Sequence, residues 1–136
     1  MQISGAIVGC VVANIIFKLP PVTISTLVRH DFSQFLSEIL ETFGLILVIF
    51  IGSEVSKKNT PVLVGSYIAS AYWFTSSTSF ANPGVTVARQ FSDTFTGISP
   101  SGVPTFIIAQ IFGAILGFVV IQWLTKKVIK RTIPGR

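Results

Sequence analysis

The residues best placed to do something specific stand together in Asn82-Pro83-Gly84-Val85-Thr86-Val87-Ala88-Arg89, behind the polar run Thr75-Ser76-Ser77-Thr78-Ser79. Asparagine caps helices and proline suits the first helical position, so a helix starts at this step. It must be short, because only about eight residues separate Pro83 from the polar Ser92-Asp93-Thr94. Two further carboxyls, Glu38 and Glu41, sit three apart and share a helix face. The single His30 lies between Arg29 and Asp31 with no Cys or His to join it on a metal, and reads as a solvated loop residue. Cys10 is the only cysteine, set among Val, Ile and Gly, and reads as a small buried hydrophobe without an intrachain disulfide. No nucleophile–base pair, metal cluster or phosphate loop is visible. The chain does not read as an enzyme, and neither a metal nor a cofactor is expected.

The elements that position these residues follow from composition. The chain has 136 residues, of which 50% are hydrophobic and 11% charged, with a mean hydropathy of +0.74. A soluble domain carries about 25% charged residues. So few charges can hardly cover a water-facing surface, which favours a membrane protein over a buried soluble bundle. Four apolar segments stand out at 1–17, 35–52, 61–75 and 103–124. Each is near the ~20 residues that cross hydrocarbon, the first being short because the chain begins inside it. Its Gly5, Ala6, Gly9, Ala13 ladder suits close packing against other helices. No basic n-region or cleavage site marks a signal peptide. The 76–92 stretch is then irregular backbone opening into a half-helix. At membrane depth such backbone persists only where protein or water surrounds it, so it lines a path. The fold expected is an all-α membrane protein with four transmembrane helices and one re-entrant half-helix, in a single domain.

The net charge of +5 does not point to nucleic acid. Five of the ten basic residues (Lys126, Lys127, Lys130, Arg131, Arg136) follow the last apolar segment, as in a cytoplasmic tail beside anionic headgroups. Together with Lys57 and Lys58 they place seven basic residues on one side, against Lys18, Arg29 and Arg89 on the other. The 53–60 connection and the 125–136 tail are thus expected in the cytoplasm, and the 18–34 and 76–102 connections outside. The chain also repeats itself: Gln2-Ile-Ser-Gly-Ala-Ile-Val-Gly9 matches Gln110-Ile-Phe-Gly-Ala-Ile-Leu-Gly117 at six of eight positions, on segments that run in opposite directions. Inverted repeats are a frequent architecture for pathways through membranes.

Asn82-Pro83-Gly84, the half-helix behind it and the Gln110-x-x-Gly113-Ala114 pattern resemble the major intrinsic protein family, the aquaporins and aquaglyceroporins, whose second re-entrant loop carries Asn-Pro-Ala. The resemblance covers essentially all of the chain. It implies a partial aquaporin fold, with 1–17 as family helix three, 35–52 as helix four, 61–75 as helix five, 76–92 as the re-entrant loop, and 103–124 as helix six. It also implies a passive channel for water and small uncharged solutes, in which the Asn82 amide offers hydrogen-bond donors at the pore centre. The half-helix N-terminus then opposes cations and protons there. Glu38 matches the buried glutamate that anchors the loop, and Glu41 is expected nearer a polar rim. A homo-oligomer is implied, a tetramer by family habit, in a bacterial-type plasma membrane.

Two departures bear on function. Val85 stands where most members of the family have an arginine at the outer constriction. With the small Ser70 as the best match to the filter position on helix five, the filter is expected to be wide and less polar. Family members with valine there are associated with larger neutral solutes, so glycerol and arsenite-type metalloid hydroxides are the expected cargo. Arg89, one turn on, is either a displaced gate or a cation anchored to loop or headgroup. The second departure is the lack of the first two family helices and the first Asn-Pro-Ala loop. The chain is therefore either completed by a missing N-terminal half or a non-conducting subunit that associates with a full-length channel. A secondary transporter is disfavoured, since Asn82-Pro83-Gly84 is neutral and Glu38 lies on another segment.

Overall fold

Where the chain is apolar and free of internal proline, it is helical. The computed structural model describes residues 1–132, with side chains through Lys126. It contains α1 (Gln2–Ile16), α2 (Phe32–Val55), α3 (Thr60–Phe74), α4 (Pro83–Arg89) and α5 (Val103–Thr132). No strand occurs among the described residues. Pro61 and Pro104 fall in the first turns of α3 and α5, where a missing N–H costs nothing. α1 stops where Lys18 takes a left-handed φ of 58° and the Leu19 N–H donates to the Asn14 carbonyl at 2.8 Å, ahead of Pro20-Pro21.

Glycines set the helix contacts. On α5, a Cβ at Gly113 would run into the Ile39 carbonyl, and one at Gly117 would lie 2.9 Å from the Ile46 side chain. Only glycine allows α2 and α5 to approach so closely. α3 packs on α2 through Tyr67, whose ring occupies the space over Gly44 and whose hydroxyl donates to the Glu41 carbonyl at 3.0 Å. α4 packs against both α1 and α5, whereas α3 meets α2 and no other helix among the described residues. An extended strap, residues 19–31, crosses the C-terminal end of α4. The Thr23 and Ser25 N–H groups donate to the Phe91 and Gln90 carbonyls at 3.1 and 2.8 Å, and the Ser99 N–H to the Leu27 carbonyl at 2.8 Å.

Phe32–Val55 and Val103–Lys126 are long and apolar enough to cross a membrane. Only 22% and 33% of their most apolar stretches are buried within the protein, so their apolar side chains mostly face outward. A core helix of a soluble protein would show the reverse. α1 and α3, of 15 residues each, rise about 22 Å, less than the ~30 Å of hydrocarbon.

α2 and α5 extend well beyond the apolar runs read from the sequence. α2 begins at Phe32 rather than 35 and runs to Val55 rather than 52. α5 continues past 124 to Thr132, so the first part of the basic tail is helical. Apolar runs mark burial, not the end of backbone hydrogen bonding, and lysine and arginine are good helix formers. The side chains of Lys127, Lys130 and Arg131, and the whole of 133–136 with Arg136, lie outside the described residues.

Candidate functional site

The loop between α3 and α4 has no regular backbone of its own. Thr78, Ser79 and Ala81 take left-handed φ values of 66°, 54° and 43°. Each such non-glycine residue costs on the order of 1–3 kcal/mol, and the conformation persists only if its surroundings dictate it. The surroundings are polar and buried. Glu38 of α2, fully buried, accepts from the Phe80 N–H through Oε1 and from the Ala81 N–H through Oε2, both at 3.1 Å. Gln110 of α5 donates to the same Oε2 at 2.7 Å and is within 2.8 Å of Thr86 Oγ1. Thr86 donates in turn to the Asn82 carbonyl at 2.9 Å. Four elements thereby share one network around a carboxylate that would otherwise be very costly to bury.

Two arginines grip the loop from its other side. Arg89 donates to the Thr78 carbonyl at 3.3 Å and lies 4.2 Å from the centre of the Phe80 ring. Arg29, on the strap, is 3% exposed and donates to the Ser77, Phe95 and Gly97 carbonyls at 3.2, 2.5 and 2.7 Å. The Phe80 ring itself packs on Phe106 at 5.1 Å, in a small core completed by Ile98 and Val103.

Asn82 has extended backbone (φ −155°, ψ 120°), and its Oδ1 accepts from the Gly84 and Val85 N–H groups at 2.8 and 3.4 Å. The cap fixes which end of the amide is oxygen, leaving Nδ2 with two donors and no acceptor among the described residues. A Cβ at Gly84 would sit 3.1 Å from that Oδ1, tight but not blocked. Val85 and Arg89 line one face of a cleft of about 290 Å³, whose other face is α1 with Ala6, Cys10 and Ala13. Ser70 is elsewhere. It is exposed on α3, its hydroxyl bonded back to the Ser66 carbonyl at 2.8 Å, and no helix contact joins it to Val85.

Glu41 is not near a polar rim. It is fully buried, and its Oε1 accepts from the Ser77 hydroxyl at 2.8 Å, because three residues along α2 keep it under the same loop as Glu38. Arg29, the neighbour of the exposed His30, is buried. Its neighbours in sequence carry no signal for this, since its partners are backbone carbonyls 48 to 68 residues away. Gln110 did carry a signal, as the first residue of the repeat, but nothing local named its partners.

Over 136 residues the chain is 44% identical to the aquaglyceroporin AqpS of Rhizobium meliloti (strain 1021), in an alignment that takes in 98% of this chain and 58% of that protein. The match supports a partial member of the major intrinsic protein family. It spans less than two thirds of the relative it matches. This likeness and the two long apolar helices support an integral membrane protein. No profile of a known family matches it, and no solved structure does. Asn82, Pro83, Gly84 and Val85 form the cap and first turn of α4.

Proposed function

We propose that the chain forms part of the wall of a passive channel for water and small uncharged solutes. The observation that carries this reading is the 75–82 loop and seven-residue α4, irregular backbone held by buried polar groups between long apolar helices. In a bilayer such backbone is stable only beside protein or water. In this reading α1, α2, α3 and α5 are the four crossings. The loop and α4 enter from the outer face, and the basic C-terminal stretch lies in the cytoplasm of a bacterial-type plasma membrane. Glu38 anchors the loop, and the spare Nδ2 donors of Asn82 meet the permeating oxygen. Val85 and Ser70 border the outer constriction from separate elements, as the two sides of a gap do. Arg89 serves as a clamp beside the constriction rather than as its narrowest point. Assembly into a homo-oligomer, a tetramer on the family pattern, completes the picture.

A valine neither donates a hydrogen bond nor adds charge, so the constriction admits solutes wider than water, glycerol and the neutral hydroxide of trivalent arsenic among them. The test is stopped-flow light scattering on vesicles holding this chain joined to the portion of the Rhizobium protein that it does not match. Val85→Arg is expected to suppress glycerol and arsenite uptake while sparing most water flow. Equal uptake by both forms would remove Val85 from the constriction.

A second reading, a non-conducting subunit that associates with a full-length channel, is favoured by the open face of α1, where a Cβ at Gly5 or Gly9 would meet nothing within 4 Å. Vesicles holding the chain joined to the unmatched portion of the Rhizobium protein separate the two: solute uptake supports the channel wall, and no uptake supports the non-conducting subunit.

A further inference from the structure

Arg29 has an unusual position for a charged residue. It is buried, yet no carboxylate lies within ion-pair distance of it among the described residues. Buried cations are ordinarily paired, because an unpaired charge loses its hydration with nothing of opposite sign in return. Here the guanidinium is solvated by three backbone carbonyls from two separate segments, Ser77 before α4 and Phe95 and Gly97 after it. It also lies 5.7 Å from the centre of the Phe80 ring, whose neighbouring N–H groups are those held by Glu38. The strap is itself fixed at this point, since a Cβ at Gly102 would lie 2.7 Å from the Arg29 carbonyl.

Three carbonyls at fixed directions call for the planar fork of an arginine, which a lysine ammonium does not reproduce. The two segments it joins are the entry to and exit from α4. Ser77 is next to Thr78, whose carbonyl Arg89 holds, so the two arginines grip consecutive carbonyls just where φ is left-handed. We propose that Arg29 is a positioning residue for the outer part of the channel. By tying Ser77 to Phe95 and Gly97 across α4, it fixes where Asn82 presents its amide and where Val85 borders the constriction. The inference rests on the channel reading for its functional consequence, but its structural half stands apart from it.

The experiment compares Arg29→Lys and Arg29→Gln with the unaltered protein, in vesicles of the joined protein described above. Two quantities are read: the ratio of glycerol to water permeability per channel, and amide hydrogen exchange over 75–82 by mass spectrometry. Arg29→Lys keeps the charge and loses the fork. It is expected to change the permeability ratio by about threefold or more, the rate effect of losing a single modest hydrogen bond, and to speed exchange at Phe80 and Ala81 by about tenfold. Exchange in the middle of α5 should stay as it was. Arg29→Gln should exceed Arg29→Lys in both respects, and if it fails to fold, Arg29→Lys decides alone. Less protein in the membrane with an unchanged ratio and unchanged loop exchange would mean Arg29 only aids folding, and the proposal is overturned. If the unaltered protein passes neither solute, the channel reading falls, while loop exchange still decides whether Arg29 positions the loop.

Discussion

Phe80 and Ala81 present two consecutive amide groups in a loop whose left-handed turns leave them no backbone partner, and a carboxylate takes both. Glu38 can do so because each of its oxygens accepts from one backbone N–H, with Gln110 donating to Oε2 as well. Glu41, one turn along, meets the loop differently: the Ser77 hydroxyl donates to its Oε1, and its Oε2 has no hydrogen-bond partner among the described residues. The two glutamates are equally buried but not equally engaged, and mutation should separate them. In Glu38→Gln an amide NH2 must replace an acceptor, so at least one buried donor is left facing another. The expected loss is roughly 2–4 kcal/mol, since each buried group left unsatisfied costs about 1–3 kcal/mol. Glu41→Gln keeps an acceptor for Ser77 and should lose less than half as much. Detergent-solubilised protein unfolded by denaturant and followed by circular dichroism gives both values. Equal losses, or a larger loss at Glu41, would shift the anchor of the loop to Glu41.

At the scale of elements, the α2–α5 contact holds the anchor and Gln110 in register, and it depends on two glycines that have no space for a Cβ. Gly113→Val should cost about 1–3 kcal/mol or more, the usual penalty of overpacking, because its obstacle is the Ile39 carbonyl, a backbone atom that does not swing aside. The same unfolding measurement applies, and a neutral Gly113→Val would mean that the two helices do not meet there. Much of this level is written in the sequence. Low charge content and long apolar runs carry the helical, membrane-type character, and the Asn82-Pro83 step contains the chemistry of a helix start within itself: an acceptor for the first amides and a residue with no amide to satisfy. The extension of α5 through lysines and arginines is not written there, because hydropathy reports on burial while helices end only where backbone bonds do. Nor are the loop clamps. Arg29 acts on carbonyls, which every residue has, so no side-chain identity at Ser77, Phe95 or Gly97 could announce it. Glu41 shows the converse limit: spacing put it on the face of Glu38, but depth along that face was not legible, and it lies under the loop rather than at a rim.

For the whole molecule, the internal repeat is the informative feature. Gln2-Ile-Ser-Gly-Ala-Ile-Val-Gly9 and Gln110-Ile-Phe-Gly-Ala-Ile-Leu-Gly117 lie on helices that both pack on α4. On α5 the two matched glycines are filled by α2, while on α1 Gly5 and Gly9 face open space. Internal symmetry therefore leaves a helix-sized contact unfilled on α1, beside apolar residues such as Val8 and Val12 that are 62% and 48% exposed. If a helix of another segment or chain covers this face, a bulky residue at Gly9 will be harmless in one setting and harmful in another. In the 136-residue chain alone, Gly9→Leu should be neutral or stabilising by up to about 1 kcal/mol, since leucine is the better helix former. In the protein joined to the unmatched portion of its Rhizobium relative, the same change should destabilise by about 1–3 kcal/mol through overpacking. It should also lower solute uptake per vesicle. Unfolding of both forms in the same detergent, with and without Gly9→Leu, measures the difference directly. A substitution equally harmless in both would show that the α1 face stays bare, and the symmetry argument for a covering helix would be lost.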